Sequence, residues 1–218
     1  MKYLFYRPIK INEPPEKVFF WSDTHFNHLC QHWAVPLWKA RGFSSVEEHN
    51  EGLIQRWNSK VTDQDIMFHL GDFVFGYNSS ETFKEILNRV NFSTLYVMPG
   101  NHNSGWKQVF EEQKQNVWKI NSNKKVIFIP NYAEVTIENK MVVLSHYPII
   151  SFNGQSKGSY CLYGHVHGNL AKNELGKLYK QARTLEVCVE TQPTPISMKD
   201  VNKLFENTSS VTFDCHRQ

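Results

Sequence analysis

The sequence has no hydrophobic run long enough to cross a membrane. A membrane-spanning helix needs about 20 consecutive apolar residues, and no stretch of these 218 residues approaches that length. The first ten residues carry Lys2, Arg7 and Lys10, with no apolar core of signal-peptide length between the charges. We therefore expect a protein that does not enter a membrane and that resides in the cytoplasm.

Cysteine is scarce, and its spacing excludes two kinds of site. The four cysteines are Cys30, Cys161, Cys188 and Cys215. None of them forms the C-x-x-C pair that binds zinc or acts as a redox dithiol. In a chain without export signals, we expect reduced thiols that fill small apolar spaces.

A strong charge of either sign is also missing. The chain has 24 Lys and Arg against 21 Asp and Glu, a formal net charge of +3. This is far from the basic balance that would by itself indicate nucleic-acid binding. Hydrophobic residues make up 40% of the chain, as in ordinary globular proteins. Because there is no repeat, low-complexity tract or long linker, residues 1–218 are expected to form a single domain.

Short runs rich in β-branched and aromatic residues predict buried strands. These runs are Lys17–Trp21, Asp65–Leu70, Thr94–Met98, Met141–Leu144, Tyr160–Tyr163 and Leu185–Val189. Capping residues and helical spacing predict helices between and after them. One predicted helix begins at Ser44-Ser45 and continues through Trp57. The others cover Ser79–Val90, Trp106–Gln115 and Ser197–Phe205.

Between residues 117 and 144, short strands surround polar turns such as Asn121-Ser122-Asn123 and Glu138-Asn139-Lys140. This pattern is typical of hairpins, so a mixed sheet is expected. The whole pattern favours a layered α/β architecture with two stacked sheets covered by helices. A single doubly wound sheet is the alternative that this pattern does not exclude.

Polar side chains of the kind that bind metals follow five of the predicted strands. The five sets are Asp23 and His25, Gly71-Asp72, Gly100-Asn101-His102, Ser145-His146 and Gly164-His165-Val166-His167-Gly168. Ligands of α/β sheets collect beyond the carboxyl ends of the strands, so we expect these segments to converge. The glycines fit places where the backbone must turn sharply or approach the site closely.

The residue types in these five sets indicate a metal site. In Asp-x-His and His-x-His, residues two apart share a side of the strand, so both side chains can reach one cation or two neighbouring ones. Imidazole, carboxylate and amide groups suit Mn, Fe, Zn, Ni or Co. Five or more such groups can hold a pair of ions, which in hydrolytic sites lie about 3.5–4 Å apart.

This ordered set resembles the signature of the calcineurin-like metallophosphoesterase superfamily. The resemblance runs from about residue 20 to 168. Further stretches are similar to a small single-domain branch found in bacteria and their phages. Those stretches are Ser22–His28, Phe43–Asn58, His69–Phe73 and the region from Leu185 to Ser197.

The resemblance implies a four-layer α/β/β/α sandwich with two mixed β-sheets and two bound divalent metal ions. Manganese is the first expectation, with Fe, Zn, Ni or Co as alternatives. The implied ligands are Asp23, His25 and His167 for one ion, Asn101, His146 and His165 for the other, and Asp72 for both. His102 is implied to be the catalytic residue, while a metal-bridging hydroxide attacks phosphorus in line.

The activity implied by the resemblance is hydrolysis of a phosphodiester or phosphomonoester by a dinuclear-metal phosphoric ester hydrolase. A small nucleotide-like substrate is favoured, because little of the chain is left over for binding a polymer. A nuclease acting on short nucleic acids is the nearest alternative. A non-catalytic metal-binding scaffold for protein partners is another, although it would be expected to lose catalytic side chains that are all present here.

Several other residues allow two interpretations each. His28 contacts the substrate phosphate or has a structural role, and Arg41 and Arg183 bind a phosphate or lie on the surface. Aromatic residues that stack on a base or pack in the protein are Trp33, Trp106 and Tyr147. His69, inside a predicted strand, is expected to be a core residue. The pattern indicates nothing about oligomeric state.

Overall fold

A computed structural model describes residues 8–29, 35–76, 79–102, 104–208 and 211–213. Cys30, Trp33 and Cys215 lie outside these ranges. Among the described residues, no helix combines the length and the apolar character that crossing a membrane requires.

The larger of two sheets has six strands, and four neighbouring strands in it are parallel. Its strands are β2 (Val18–Trp21), β3 (Ile66–His69), β4 (Thr94–Val97), β5 (Val117–Lys119), β6 (Lys125–Phe128) and β11 (Ile196–Ser197). Their order is β11-β2-β3-β4-β6-β5, and the two edge strands β11 and β5 run antiparallel to their neighbours. The carboxyl ends of β2, β3 and β4 therefore meet at one edge.

The second sheet has five strands in the order β1-β7-β8-β9-β10. They are β1 (Ile9–Ile11), β7 (Tyr132–Ile137), β8 (Lys140–Ser145), β9 (Tyr160–Tyr163) and β10 (Thr184–Glu186). Only the β7–β8 hairpin is antiparallel. The prediction of two mixed sheets is confirmed, and within the described residues a single doubly wound sheet is excluded.

The helices are mostly those that capping and periodicity predicted. They are α1 (Leu37–Ala40), α2 (Val46–Asn58), α3 (Ser79–Arg89), α4 (Ser104–Gln113), α5 (Glu174–Gln181) and α6 (Met198–Phe205). Ser45 caps α2 by accepting a hydrogen bond from Glu48 N, and Glu48 Oε2 accepts from Ser44 N at 2.7 Å. The two bonds satisfy orphan donors in the manner of a capping box.

Alternation along β2 divides the core between the two faces of the larger sheet. Phe19 and Trp21 pack in the cluster that contains Trp57 of α2 and Phe83 of α3. Val18 and Phe20 pack in a second cluster that also holds residues of β8 and β9 from the other sheet. Strand side chains alternate between faces, so one face of the larger sheet packs on helices and the other packs on the second sheet.

One predicted strand is too long, and its shortening matters for the site. The Leu185–Val189 run is a strand only to Glu186, because the chain passes toward the larger sheet at Val187, whose N still donates to Tyr163 O of β9 at 2.8 Å. There Val187 O accepts from Ser22 N at 2.9 Å, and Cys188 forms an isolated bridge with Ser22. The chain after β10 is thereby tied to the end of β2. Helices α1 and α5 and strands β1 and β11 were not predicted from the sequence.

Candidate metal centre

All five polar segments predicted at strand ends lie beyond the carboxyl ends of β2, β3, β4, β8 and β9. Main-chain hydrogen bonds extend the pairing of these strands into the loops. Asp23 N donates to Gly71 O at 3.0 Å, His25 N to Asp72 O at 2.9 Å, and Gly164 N to His146 O at 3.0 Å. The ladder therefore fixes the loops of neighbouring strands against each other, including the two loops of the second sheet.

Two overlapping groups of side chains have the composition and spacing to hold metal ions. One contains Asp23, His25 and His167, and the other contains Asp23, Asp72 and His146, with ligand atoms within 4.8 Å of one another in each group. Asp72 Oδ2 lies 3.6 Å from His25 Nε2 and 3.7 Å from His146 Nε2. One carboxylate oxygen thus stands between histidines of the two groups.

Asn101 and His165 extend the second group toward solvent. Asn101 Oδ1 lies 3.0 Å from His146 Nε2 and 2.9 Å from His165 Nδ1. The other nitrogen of His146, Nδ1, lies 2.8 Å from Leu70 O, which can only accept, so Nδ1 carries the hydrogen. In the neutral ring, Nε2 therefore presents a lone pair to Asp72 and Asn101, as metal ligation requires.

Asp23 provides the test of whether these residues fit a cation. Its side chain is fully buried, and its Oδ2 accepts from His165 N at 2.9 Å and from Cys188 Sγ at 3.0 Å. Its Oδ1 has no hydrogen-bond partner and lies 3.7 Å from His167 Nε2 and 3.9 Å from His25 Nε2. Neither ring nitrogen of the buried His25 has a hydrogen-bond partner. Buried polar atoms are normally paired, and a divalent cation would satisfy Asp23 Oδ1 and His25 Nε2 at once.

The backbone at the predicted ligands is strained. Five of them have left-handed φ values, namely Asp23 (57°), His25 (49°), Asp72 (52°), His165 (75°) and His167 (48°). Such conformations cost a non-glycine residue about 1–3 kcal/mol each and concentrate at functional sites. Here the turns bring Asp23 and His25 to the same centre, while Thr24 between them donates to Phe73 O.

Two glycines leave the space that the carboxylates occupy. A Cβ added at Gly100 would overlap Asp72 Oδ1, and one added at Gly164 would overlap Asp23 Oδ2. The close backbone approach predicted at both positions is confirmed. Gly100 therefore sets how near the turn after β4 lies to Asp72.

His102 borders the centre without joining either group. Its main-chain N donates to Asp72 Oδ1 at 2.8 Å, and its ring is half-buried. The ring centroid lies 5.5 Å from that of His25 and 4.7 Å from that of Phe75. The turn after β4 thus holds Asp72 through its backbone and leaves the imidazole at the rim.

Burial shifts the charges inside the centre. Loss of water lowers the pKa of His25 well below its ordinary value, and the charge of Arg41 adds to this effect. Burial also raises the pKa of Asp72, against an opposing contribution from His146. Both directions favour neutral side chains, and a bound cation would reverse the effect on the carboxylate.

The other candidate residues of the sequence analysis differ in where they lie relative to the centre. The ring of His28 is buried, stacks on Phe75 at 4.2 Å and lies 5.6 Å from the ring of His25 between centroids, which supports the structural interpretation. His69 is a core residue, as predicted, with Nε2 3.0 Å from Thr24 Oγ1. Arg183 immediately precedes β10, close to Gly158 before β9, and therefore lies at the opposite end of these strands from the centre.

The two aromatic candidates that the structure describes differ in their exposure to solvent. Trp106 packs against the core and donates to Val97 O at 3.2 Å. Tyr147 is 43% exposed, and its ring centroid lies 4.6 Å from that of His165. Of these two, only Tyr147 presents an aromatic ring to solvent beside the centre.

Four residues support the predicted ligands from behind, a role that the sequence pattern did not indicate for any of them. They are Arg41, for which only phosphate binding or a surface position was predicted, Cys188, Glu186, whose Oε1 accepts from Gly168 N at 2.6 Å, and Glu190. Glu190 ends the Leu185–Val189 run, so the rule applied to the other five strands would have indicated it. Burial alone would raise the pKa of Glu190, but hydrogen bonds and charges from His167 and Arg41 lower it to about 2. Burial alone would lower the pKa of His167, but Glu190 raises it.

Comparisons with known proteins agree with this geometry. A family model described as calcineurin-like phosphoesterase matches residues 16–209. The uncharacterized protein MJ1445 of Methanocaldococcus jannaschii is 29% identical over 191 residues, which cover 87% of this chain and 92% of that protein. Both sheets and all five loops lie largely within the matched region.

Two solved structures are similar to this chain. A protein of unknown function from Aquifex aeolicus, AQ665, has a TM-score of 0.59 at 21% identity, covering 86% of this chain and 98% of its own. The Escherichia coli phosphoesterase Yfce has a TM-score of 0.35 at 16% identity, covering 69% of each chain. The first similarity extends to the fold alone, and the second is too low to bear on the chemistry of this chain.

Proposed function

The chain belongs to the calcineurin-like phosphoesterase family, and from this premise we propose that its metal centre holds two divalent cations and hydrolyses a phosphoester. The substrate is a small phosphodiester or phosphomonoester, most suitably a nucleotide-like one. The observation that carries the proposal is the position of Asp72, whose Oδ2 lies within 3.7 Å of both His25 Nε2 and His146 Nε2. A carboxylate between two sets of ligands is suited to bridge two ions.

The seven side chains divide between the cations in the following way. Asp23, His25 and His167 would hold the first, Asn101, His146 and His165 would hold the second, and Asp72 would contact both. When bound, the ions neutralise the charge of the phosphate and lower the pKa of coordinated water. Nitrogen and oxygen ligands without thiolate suit manganese, with Fe, Zn, Ni or Co as alternatives.

His102 is assigned the role of catalytic acid. Its half-buried ring lies at the rim of the centre and belongs to neither of the two ligand groups. An imidazole beside the reacting ester can donate a hydrogen bond or a proton to an oxygen that gains negative charge. The hydrogen bond from its backbone to Asp72 keeps the ring at a fixed place relative to the bridging carboxylate.

The open side of the centre favours a small substrate with an aromatic group. Asp23, His25, Asp72 and His146 are buried, while Asn101 and Tyr147 are exposed. A planar leaving group can stack on or contact the edge of Tyr147 while the phosphate reaches the ligands. This arrangement supports the nucleotide-like substrate class.

The proposal is tested by hydrolysis of bis(p-nitrophenyl) phosphate and p-nitrophenyl phosphate. Metal-stripped protein is resupplied with Mn, Ni, Co, Zn or Mg, and the wild type is compared with His102→Ala and Asp72→Asn. Asp63→Asn, which alters a carboxylate that is 61% exposed and paired with Lys124, is the control.

We expect turnover that requires metal, that both site variants lose, and that the control keeps. The ratio of diester to monoester rates then defines the substrate class. If protein that binds two ions hydrolyses neither ester with any metal, the proposal fails and a non-catalytic metal-binding scaffold replaces it.

A further inference from the structure

Arg41 uses every one of its donors within the protein. The arginine side chain has five N–H groups. Nε donates to Glu190 Oε1 at 2.9 Å, Nη2 to the same oxygen at 2.8 Å and to Asp23 O at 2.7 Å, and Nη1 to Thr24 O at 2.8 Å. The fifth contact joins Nη1 to His49 Nε2 at 3.0 Å. Its side chain is only 5% exposed, so no N–H remains for a substrate phosphate.

The contacts of Arg41 determine the state of its neighbours. Because guanidinium only donates, His49 Nε2 must be an acceptor, which makes the buried ring neutral. The carbonyls of Asp23 and Thr24 belong to the turn in which Asp23 and His25 have left-handed φ values. Arg41 therefore holds both peptide units of this strained turn from the outside.

Glu190 transmits the same constraint to a second ligand. Its Oε1, which accepts twice from Arg41, also lies 2.9 Å from His167 Nδ1. An ionised carboxylate only accepts, so His167 Nδ1 carries the hydrogen. In the neutral ring, which metal ligation requires, the lone pair is then on Nε2, which lies 3.7 Å from Asp23 Oδ1. A carboxylate behind a histidine is the usual device for fixing the orientation of a metal ligand.

We propose that Arg41 and Glu190 are positioning residues for the cation held by Asp23, His25 and His167, and that Arg41 does not bind substrate. The inference rests on the two-cation centre of the proposed function. Among the described residues, no hydrogen bond joins Arg41 or Glu190 to Asn101, His146 or His165. Arg41 and Glu190, called the brace below, therefore act on one cation more than on the other.

Conservative substitutions separate this role from general stability. Removing one partner of a buried ion pair destabilises a protein by leaving a charge unpaired. Arg41→Lys keeps the charge but replaces a five-donor planar fork with a single ammonium. Glu190→Gln keeps the shape and one acceptor oxygen. Arg89→Lys, at an arginine that pairs with Glu51 at the surface, is the matched control.

The experiment measures Mn²⁺ uptake by metal-stripped protein through isothermal titration and metal content after gel filtration. The wild type and Arg89→Lys are expected to bind two ions per chain. Both brace variants are expected to bind one ion about 10- to 100-fold more weakly and to keep the other at wild-type affinity. Circular dichroism of each metal-free variant confirms that it is folded.

Kinetics with bis(p-nitrophenyl) phosphate distinguish positioning from substrate binding. At Mn²⁺ concentrations that refill the weakened site, Arg41→Lys is expected to recover kcat with an unchanged KM. A raised KM in a fully loaded variant would overturn the proposal in favour of phosphate binding by Arg41.

If both variants bind two ions with wild-type affinity, or lose affinity equally for both ions, the positioning role of Arg41 and Glu190 is wrong while the two-cation centre stands. If the wild type itself takes up fewer than two ions, the two-cation centre fails before the variants are compared.

Discussion

Replacing Gly100 with alanine tests whether the turn after β4 must lie against Asp72. An added Cβ would overlap Asp72 Oδ1 and stand 2.5 Å from Asp72 N and 2.6 Å from Asp72 Cγ. Gly100 is not among the glycines with a left-handed φ, so alanine suits its backbone and only the contact opposes the change. Either the carboxylate rotates or the turn that carries Asn101 and His102 moves away.

The expected cost has two parts. Overpacking a closed site destabilises a protein by about 1–3 kcal/mol. Displacement of a carboxylate from between two cations weakens metal binding by about 10- to 100-fold, the usual effect of disturbing a ligand's support. Activity at limiting metal falls with metal occupancy.

Gly158→Ala is the matched control, because it has the opposite properties and lies at the far end of β9 from the centre. Gly158 has a φ of 87°, and the nearest atom to a Cβ there is Arg183 Nη1 at 3.6 Å, an ordinary contact. Alanine in this conformation costs about 1–2 kcal/mol without touching the centre. The assay is urea unfolding of metal-free protein combined with Mn²⁺ titration. Wild-type metal affinity in Gly100→Ala, or equal loss of affinity in Gly158→Ala, would refute the reasoning.

Three further predictions concern the buried groups around the centre. Burial, with a contribution from His146, lowers the pKa of His69 to about 3. Between about pH 6.5 and pH 3 only the unfolded chain binds this proton, so the free energy of unfolding decreases as the pH is lowered through this range. Urea unfolding of His69→Gln should therefore show a loss from pH 7 to pH 5 that is about 2 kcal/mol smaller than in the wild type. Cys188→Ala removes a donor to Asp23 Oδ2 and should lower the free energy of unfolding by about 1 kcal/mol, while Cys188→Ser keeps a donor and loses less. Mn²⁺ at about 100 times its Kd should stabilise the wild type by about 2.7 kcal/mol per site, seen as a raised Tm, and Asp72→Asn should gain much less.

Each of these has an outcome that contradicts it. Equal pH dependence in His69→Gln and the wild type would mean that His69 is not a buried neutral ring in solution. Equal stability of Cys188→Ala and Cys188→Ser would deny the thiol a role in holding Asp23. A full rise in Tm for Asp72→Asn would place the metal away from this carboxylate.

The strands and the convergence of the site residues were predictable because both follow from local patterns. Parallel strands bring their carboxyl ends to one edge, so a polar residue after each of β2, β3 and β4 reaches the same place. The hairpins at Asn121-Ser122-Asn123 and at Glu138-Asn139 followed from turn chemistry and are confirmed. The ligand roles and the role of His102 remain predictions.

The missing parts depend on contacts that no local pattern encodes. Arg41 acts through two backbone carbonyls and through Glu190, which is 149 residues away, so in the sequence it resembles any surface arginine. The left-handed turns at Asp23 and His25 are held by those same contacts. Helix α5 is an exception, because local signals for it are present: Asn173 caps it, and Leu175, Leu178 and Tyr179 stand at helical spacing.

The most direct test of the two-cation centre is anomalous diffraction at the manganese edge from crystals grown with Mn²⁺. We predict two peaks about 3.5–4 Å apart, one on either side of Asp72, with the first beside His167 and the second beside His165. A single peak, or peaks away from Asp72, would contradict the account.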